Sequence, residues 1–356
     1  MRFLLVGGFL GSGKTTAIIN ACQYLLKNNR RVAVITNDQG EQQVDSAWVK
    51  NFGIPVAEVA NGCFCCNYNE LDKHIHSFIE EIHPDIIFAE SVGSCTDLIA
   101  TVAKPFQKTM PDCSVAISVF TDAGLLLSLL EGNVNFISEN ILYIYKKQLQ
   151  EADLLIINKT DLISLGELNK INEHLIKEYP GKILLYQNSF ENNDIRKWID
   201  TLYQFDNFLD RSSLDIDYDL YGDGEAQLAW FDQSLTIIAS QKNAIIIAKN
   251  IIDDIYCKID QQQLVIGHLK FFIETPDWKK KISITAMSPD SYYLPEENAS
   301  QVKLLINARI QTEPQILQKM VHETLKQIVQ KHDCNINADK WSSFKPGYPK
   351  PLYRVL

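Results

Sequence analysis

Three thiols crowd into the stretch "NGCFCC", as Cys63, Cys65 and Cys66. Clustered thiolates are soft ligands that select Zn²⁺, Cu⁺ or related metals. Three of them leave a tetrahedral ion one ligand short, which suits an exchangeable site better than a sealed structural one. Glu41, in the polar stretch "TNDQGEQQVD" upstream, is the candidate fourth ligand. His74 and His76 stand two apart on an expected helix and cannot both face one ion, so each reads as a surface residue. A redox pair, or cysteines that merely pack, are the alternatives to a metal.

A second chemistry is written in "GGFLGSGKTT", where Gly8, Gly13, Lys14 and Thr15 satisfy the G-x-x-x-x-G-K-[ST] spacing between a strand and a helix. The glycines let successive backbone N–H groups turn toward phosphate oxygens, aided by the partial positive charge at the helix start. Lys14 would reach the β- and γ-phosphates, and the Thr15 hydroxyl would hold Mg²⁺. Asn158, Lys159 and Asp161 of "LLIINKTDL" follow a later strand. A carboxylate there accepts from guanine N1–H and its exocyclic amine together, whereas adenine offers no matching donor pair, so the nucleotide is expected to be GTP. Glu90 ends the strand "PDIIFAE", where an acid would hold Mg²⁺ through water or orient the attacking water; capping a loop is its bland alternative. The segment Thr36 to Asp45 reads as a switch loop that senses the γ-phosphate.

These groups need a scaffold. Apolar runs at "RFLLVGG", "RVAVITN", "PDIIFAE", "CSVAISVF", "DLLIINK" and "KILLYQN" alternate with helical stretches, including Lys14 to Asn28, Glu70 to Ile82 and Gly166 to Tyr179. The alternation predicts an α/β fold, a P-loop NTPase domain whose mainly parallel sheet is flanked by helices. That domain is expected to span residues 1–205, followed by an acidic linker at 206–224 that is short of helical periodicity. Residues 225–345 read as a small α+β domain of pattern βαβββα, and 346–356 as a tail. In its last helix Ile316, Leu317, Met320, Val321, Leu325, Ile328 and Val329 recur at helical spacing and form one expected buried stripe.

Composition narrows the function. A formal charge of −10 and a pI of about 5.2 argue against nucleic acid as a partner. No apolar run is long enough for a membrane span, and the 8 cysteines form no disulfide framework, so a reducing cytoplasm is expected.

Taken in order, "GGFLGSGKTT", "NDQGEQQVD", "NGCFCC", "ESVG" and "NKTD" resemble the CobW/HypB/UreG class of P-loop GTPases, and the G-C-x-C-C motif resembles its CobW-type metallochaperone branch. The resemblance covers the first 200 or so residues. It implies a GTPase of low intrinsic activity that binds zinc or another transition metal at the cysteines. Nucleotide state would be coupled to delivery to a client metalloprotein or to a cobalamin-dependent enzyme, the latter with structural or redox cysteines as the alternative reading; a homodimer is a further open partner. Carried onto this chain, Gly11, Ser12, Gly13, Lys14, Thr15 and Thr16 would bind phosphates, Asn158, Lys159 and Asp161 would read guanine, and Cys65 with its neighbours would bind metal. Thr36 and Asp38 depart from the family's Glu at these positions, and "SCTDL" follows "ESVG", bringing Cys95 beside the nucleotide loop. Cys95 reads first as a buried small residue, with a further thiol for the metal as the alternative.

Overall fold

The computed structural model describes residues 1–40, 44–133, 138–204, 211–285, 292–295 and 297–356. It divides into two compact units: Met1–Gln39, Phe52–Gly224 and Tyr348–Leu356 form the first, Gly40–Asn51 and Glu225–Gly347 the second.

In chain order the elements up to residue 225 are β1 (Arg2–Gly7), α1 (Lys14–Lys27), β2 (Val32–Asn37), α2 (Val44–Asn51), β3 (Val56–Val59), α3 (Tyr68–Ile82), β4 (Ile86–Glu90), α4 (Lys104–Thr109), β5 (Ser114–Asp122), α5 (Ala123–Leu130), α6 (Glu139–Glu151), β6 (Leu154–Asn158), α7 (Leu165–Glu178), β7 (Ile183–Gln187), α8 (Asn192–Gln204) and α9 (Tyr218–Glu225). The strands of the first unit form one parallel sheet in the order β3-β2-β4-β1-β5-β6-β7. Every residue of β2, β4 and β6 is buried, as strands covered on both faces require. β1 sits at the centre, and its partners β4 and β5 lead the chain to opposite sides, so the loop after β1 opens at the topological switch point where such sheets bind ligands.

Two elements of this unit are not legible in the sequence. β3 is a four-residue edge strand whose residues are mostly half-buried, too short to show a period. α9 occupies part of the acidic stretch expected to lack helix. Asp217 starts it by accepting from the backbone N–H groups of Asp219 and Leu220 at 3.0 and 3.1 Å, which offsets the poor helix propensity of its two glycines.

The second unit holds an antiparallel sheet in the order β10-β9-β11-β8-β12, from β8 (Ala229–Ala239), β9 (Ile266–Glu274), β10 (Lys279–Ile284), β11 (Gln301–Ile310) and β12 (Cys334–Phe344), with α10 (Ala244–Gln261) and α11 (Pro314–Lys331). Leu269, Phe271 and Ile273 of β9 and Leu304, Ile306 and Ala308 of β11 share a core with Ile247, Ile251 and Ile255 of α10 and Leu317, Val321 and Ile328 of α11. Burying each such aliphatic side chain contributes roughly 1.5–3 kcal/mol. The expected stripe on α11 is narrower than its period implies, because Ile316 and Val329 are 47% and 43% exposed. β12 was not anticipated either: it is an edge strand, largely exposed, whose polar sequence carries little apolar signal.

The alternate residues of the same strands make a polar face that seats α2. The Asp45 carboxylate bonds Lys270 Nζ at 2.6 Å and Lys281 Nζ at 2.5 Å, and these two cations hold it well below the usual carboxylate range despite its burial. Asn307 Oδ1 accepts from Val44 N at 2.8 Å, satisfying a donor at the helix start. Trp48 meets Phe272 edge to face, and Val44 packs on Phe272 and Leu305. Gly40 belongs to this seat because a Cβ there would lie 1.8 Å from Asp232 Oδ2. The expected switch loop Thr36 to Asp45 is thus only partly a loop: Thr36 and Asn37 end β2, Val44 and Asp45 begin α2, and Glu41 lies outside the described residues.

Candidate functional site

Between β1 and α1 the chain turns through three glycines with positive φ. Gly8 (φ 121°) passes so close to β5 that a Cβ would lie 2.0 Å from the Phe120 carbonyl oxygen, and Gly13 (φ 89°) would put one 2.4 Å from Asn158 Nδ2. No side chain caps the start of α1. Its first N–H groups therefore face the loop as an anion cradle. Ser12 Oγ is buried in the loop with no hydrogen-bond partner among the described residues. Lys14 folds back onto the loop, donating to the Gly8 and Phe9 carbonyls at 2.7 and 3.3 Å, and Thr15 Oγ1 donates to Glu90 Oε1 at 2.9 Å. A buried ammonium, an orphaned hydroxyl and an uncapped helix start fit a polyphosphate.

Of the three base-reading candidates, each does something different. Asn158 spends its amide as a tie: Nδ2 donates to Ser12 O at 2.8 Å, while Oδ1 accepts from Ser189 N at 3.2 Å and Ser189 Oγ at 2.8 Å. Lys159 adopts a left-handed backbone (φ 62°) and pairs with Asp122 Oδ2 at 2.9 Å. Asp161 is exposed on a short 3₁₀ turn. Asp122 and Ser189 were not singled out in the sequence. The only signal for them is a polar residue at or just past the carboxyl end of a strand.

The thiols sit in a turn after β3. Asn61 (φ 59°) and Gly62 (φ 154°) reverse the chain, and Cys66 N and Asn67 N both donate to the Cys63 carbonyl, at 3.1 and 2.9 Å. Asn37, at the end of β2, clamps the turn from below. Its Nδ2 donates to the Val59 and Gly62 carbonyls at 2.9 and 2.7 Å, and its Oδ1 accepts from Phe64 N at 2.9 Å. Cys63 and Cys65 are buried and Cys66 is half-buried; the three sulfurs lie within 4.8 Å of one another, with Cys63 and Cys66 3.3 Å apart. This is close enough for one ion. The neighbouring thiols, Cys65 and Cys66 foremost, hold the Cys63 thiol well below its usual range, whereas Cys63 pushes Cys65 well up and Cys66 up to about 11. His74 and His76 are turned elsewhere, onto the Glu58 and Asp72 carbonyls.

Two further segments of the same unit reach this turn. Lys350 N donates to Cys66 Sγ at 3.3 Å and Leu352 N to the Cys65 carbonyl at 2.8 Å, so residues 348–356 run across the cluster as a strap. The loop after β4 starts at Glu90, bonded to Thr15, and runs to the buried Cys95, near enough to Cys63 to act on its thiol. An open depression of about 800 Å³ in the second unit, lined by His322, Leu325, Lys326 and Trp341, contains none of the predicted site residues.

A strand-to-helix phosphate loop at the centre of a parallel sheet defines a P-loop nucleotide-binding protein. The model of the CobW/HypB/UreG nucleotide-binding domain matches residues 2–184, and the chain belongs to that family. It is 28% identical over 163 residues to the zinc chaperone YeiR of Escherichia coli (strain K12), covering 45% of this chain and 47% of that one. It is also 28% identical to the zinc chaperone CobW of a Sinorhizobium species, over 48% of this chain and 54% of that one. To the zinc-regulated GTPase metalloprotein activator 1 of Schizosaccharomyces pombe it is 27% identical, over 64% of this chain and 51% of that one. The chain spans about half the length of the curated relatives it matches. No described helix is long and apolar enough to cross a membrane.

Proposed function

We propose that this protein is a GTPase whose nucleotide state governs the binding and release of a transition metal, zinc foremost, at Cys63, Cys65 and Cys66, for delivery to a client metalloprotein. The observation that carries this reading is the segment Glu90–Cys95. It begins on the hydroxyl of Thr15 in the phosphate loop and ends at the buried Cys95, near enough to Cys63 to act on its thiol. Between those ends Gly93 lies so close to the phosphate loop that a Cβ would come 3.0 Å from Leu10 N.

The chemistry follows from what each residue has at hand. The N–H groups of α1 and Ser12 Oγ would take the phosphate oxygens, and Lys14 would exchange the Gly8 and Phe9 carbonyls for the β- and γ-phosphates. Thr15 and Glu90 would hold Mg²⁺, which when bound neutralises charge on the transferring phosphoryl group. Asp161 would accept from the guanine edge, while Asn158 keeps the phosphate loop and the β7–α8 loop in register. When Thr15 Oγ1 turns toward the metal–nucleotide, Glu90 loses that donor and the segment ending at Cys95 can shift. Metal affinity at the thiols then differs between nucleotide states, which is a coupling free energy in the ordinary sense.

The test is an anaerobic zinc titration of the reduced protein against a chromophoric chelator, with Mg²⁺ and either GDP or a non-hydrolysable GTP analogue. Affinities differing by at least about tenfold are expected, a coupling of ~1.4 kcal/mol. Equal affinities in the two states would refute the gating.

A further inference from the structure

The strap crosses the thiol turn with the run "YPKPL", Tyr348 to Leu352, and Lys350 N in that run donates to Cys66 Sγ at 3.3 Å. We propose that the Lys350 N–H is a hydrogen-bond donor to the metal-bearing thiolates, that Arg354 positions it, and that residues 348–356 thereby cover the metal site and slow release of the ion. The inference rests on the metal-binding reading above and deepens it by naming what lies over the three thiols.

The donor is pre-set by its neighbours. Proline has no N–H and fixes its own φ, and a residue that precedes proline is pushed toward extended backbone. Between Pro349 and Pro351, Lys350 is confined to that conformation, and its N–H is the one backbone donor of the three residues. It is spent on a sulfur. Thiolates gathered around a divalent ion leave a net negative charge, which N–H groups aimed at the sulfurs stabilise.

The strap is pinned on the far side of that contact. Leu352 N donates to Cys65 O at 2.8 Å, Val355 N to Ala100 O at 2.9 Å, and Ser213 Oγ to Val355 O at 2.6 Å, while the Tyr353 ring stands edge-on to Tyr68. Arg354 is the anchor: its guanidinium donates to Asp97 Oδ2 at 2.7 Å and to Leu214 O at 2.9 Å. Asp97 is fully buried with a left-handed backbone (φ 66°) and also accepts from Tyr218 OH at 2.7 Å, so it is a fixed point. It lies on the loop that follows Glu90, which ties the strap to the segment that starts at the phosphate loop. Leu352 and Tyr353 remain 47% and 45% exposed, so polar contacts hold the strap more than burial does. A cover held in that way lifts without exposing much apolar surface, as an exchangeable site requires.

The experiment uses the full-length reduced protein loaded with one equivalent of Cd²⁺ or Zn²⁺. Lys350→Pro removes the N–H and suits an extended backbone. Its thiolate-to-cadmium charge-transfer band should move to longer wavelength, because a thiolate that loses a hydrogen bond holds its electrons less tightly. Zinc transfer from the same variant to an excess of chromophoric chelator should be at least about tenfold faster. Lys350→Ala, which retains the N–H, should restore the wild-type band and rate. Arg354→Lys keeps the charge but cannot bond Asp97 and Leu214 together, and zinc transfer should be about threefold faster. An unchanged band and rate in Lys350→Pro, or the same changes in Lys350→Ala, would overturn the proposal. If Lys350→Pro fails to fold, Arg354→Lys decides, and a wild-type rate there would overturn it. Both changes in Lys350→Pro, alongside zinc affinity that is equal with GDP and the GTP analogue, would refute the gating proposed above and leave the role of the strap standing.

Discussion

The phosphate loop and the thiol nest lie at the carboxyl edge of one parallel sheet, yet they are assembled in opposite ways. The phosphate loop is contiguous: Gly8, Gly13, Lys14 and Thr15 belong to one turn, whose conformation is forced by positive φ and by backbone that comes within 2.0 Å of where a Cβ would sit. The thiol nest is composite. Cys63, Cys65 and Cys66 come from one turn, the amide donor to Cys66 from Lys350, and the clamp beneath from Asn37 at the end of β2. A contiguous site fails when its own residues change. A composite one is also sensitive to its supports, and it can be regulated through any of them.

The sharpest way to break that contrast is Lys14→Ala. Lys14 donates to the Gly8 and Phe9 carbonyls of its own loop, so its loss should reduce GTP hydrolysis by about a thousandfold, measured by phosphate release, and leave zinc affinity without nucleotide unchanged. A parallel fall in nucleotide-free zinc affinity would mean that the two sites are one structural unit. Next in size is Gly8→Ala. The added methyl must displace the Phe120 carbonyl at a φ that side chains avoid, so thermal unfolding should show a loss of about 3 kcal/mol.

The support of the Cys95 loop offers a pH test. Burial pushes the Glu151 carboxyl up to about 8, although its bonds from Ile99 and Thr96 pull the other way. Because the folded value is above the unfolded one, its contribution is complete below about pH 4.5 and is lost as pH rises toward 8. Denaturant titrations should show the wild type losing about 2 kcal/mol relative to Glu151→Gln between pH 5 and 8, with the variant flat over that window. A constant difference would mean that Glu151 is ionised throughout. The smallest effect is expected from Asn37→Ala, which removes three hydrogen bonds from beneath the thiol turn while leaving every sulfur in place. Zinc affinity should drop by about tenfold and GTP affinity should not change, as read by chelator competition and by fluorescent-nucleotide binding. An unchanged zinc affinity would show that the turn holds itself.

How much of this was readable beforehand differs between the same two regions. Lys14, Thr15, Glu90, Asn158, Lys159 and Asp161 were all legible, because each stands at a fixed offset from the end of an apolar strand and the strand run is visible as such. Even so, the side chain of Asn158 proved to be a tie between loops, which spacing cannot reveal. The three clustered thiols are legible as a cluster, and Cys95 is legible as a lone thiol that reads first as a buried small residue, which its burial agrees with. The clamping role of Asn37 gave no sequence signal, nor did Gln148, which holds the Gly93 and Cys95 carbonyls, or Glu151, since a polar residue that holds a backbone carbonyl or amide in another segment has no periodicity to betray it. The second unit repeats the lesson. Its helices and central strands show in apolar period, but β12 and the seat for α2 do not, because that face of the sheet is built from Asp232, Lys270, Lys281 and Asn307.

The sequence by itself therefore determined the parallel α/β scaffold, the phosphate loop and the presence of a soft-metal motif, since local spacing and hydrophobic period are sufficient for each. Tertiary structure alone decided that residues 348–356 cross the three thiols and that α2 is bound to the second unit's sheet through Asp45. Those are contacts between segments far apart in the chain, fixed by buried hydrogen bonds and ion pairs whose partners only the completed fold brings together.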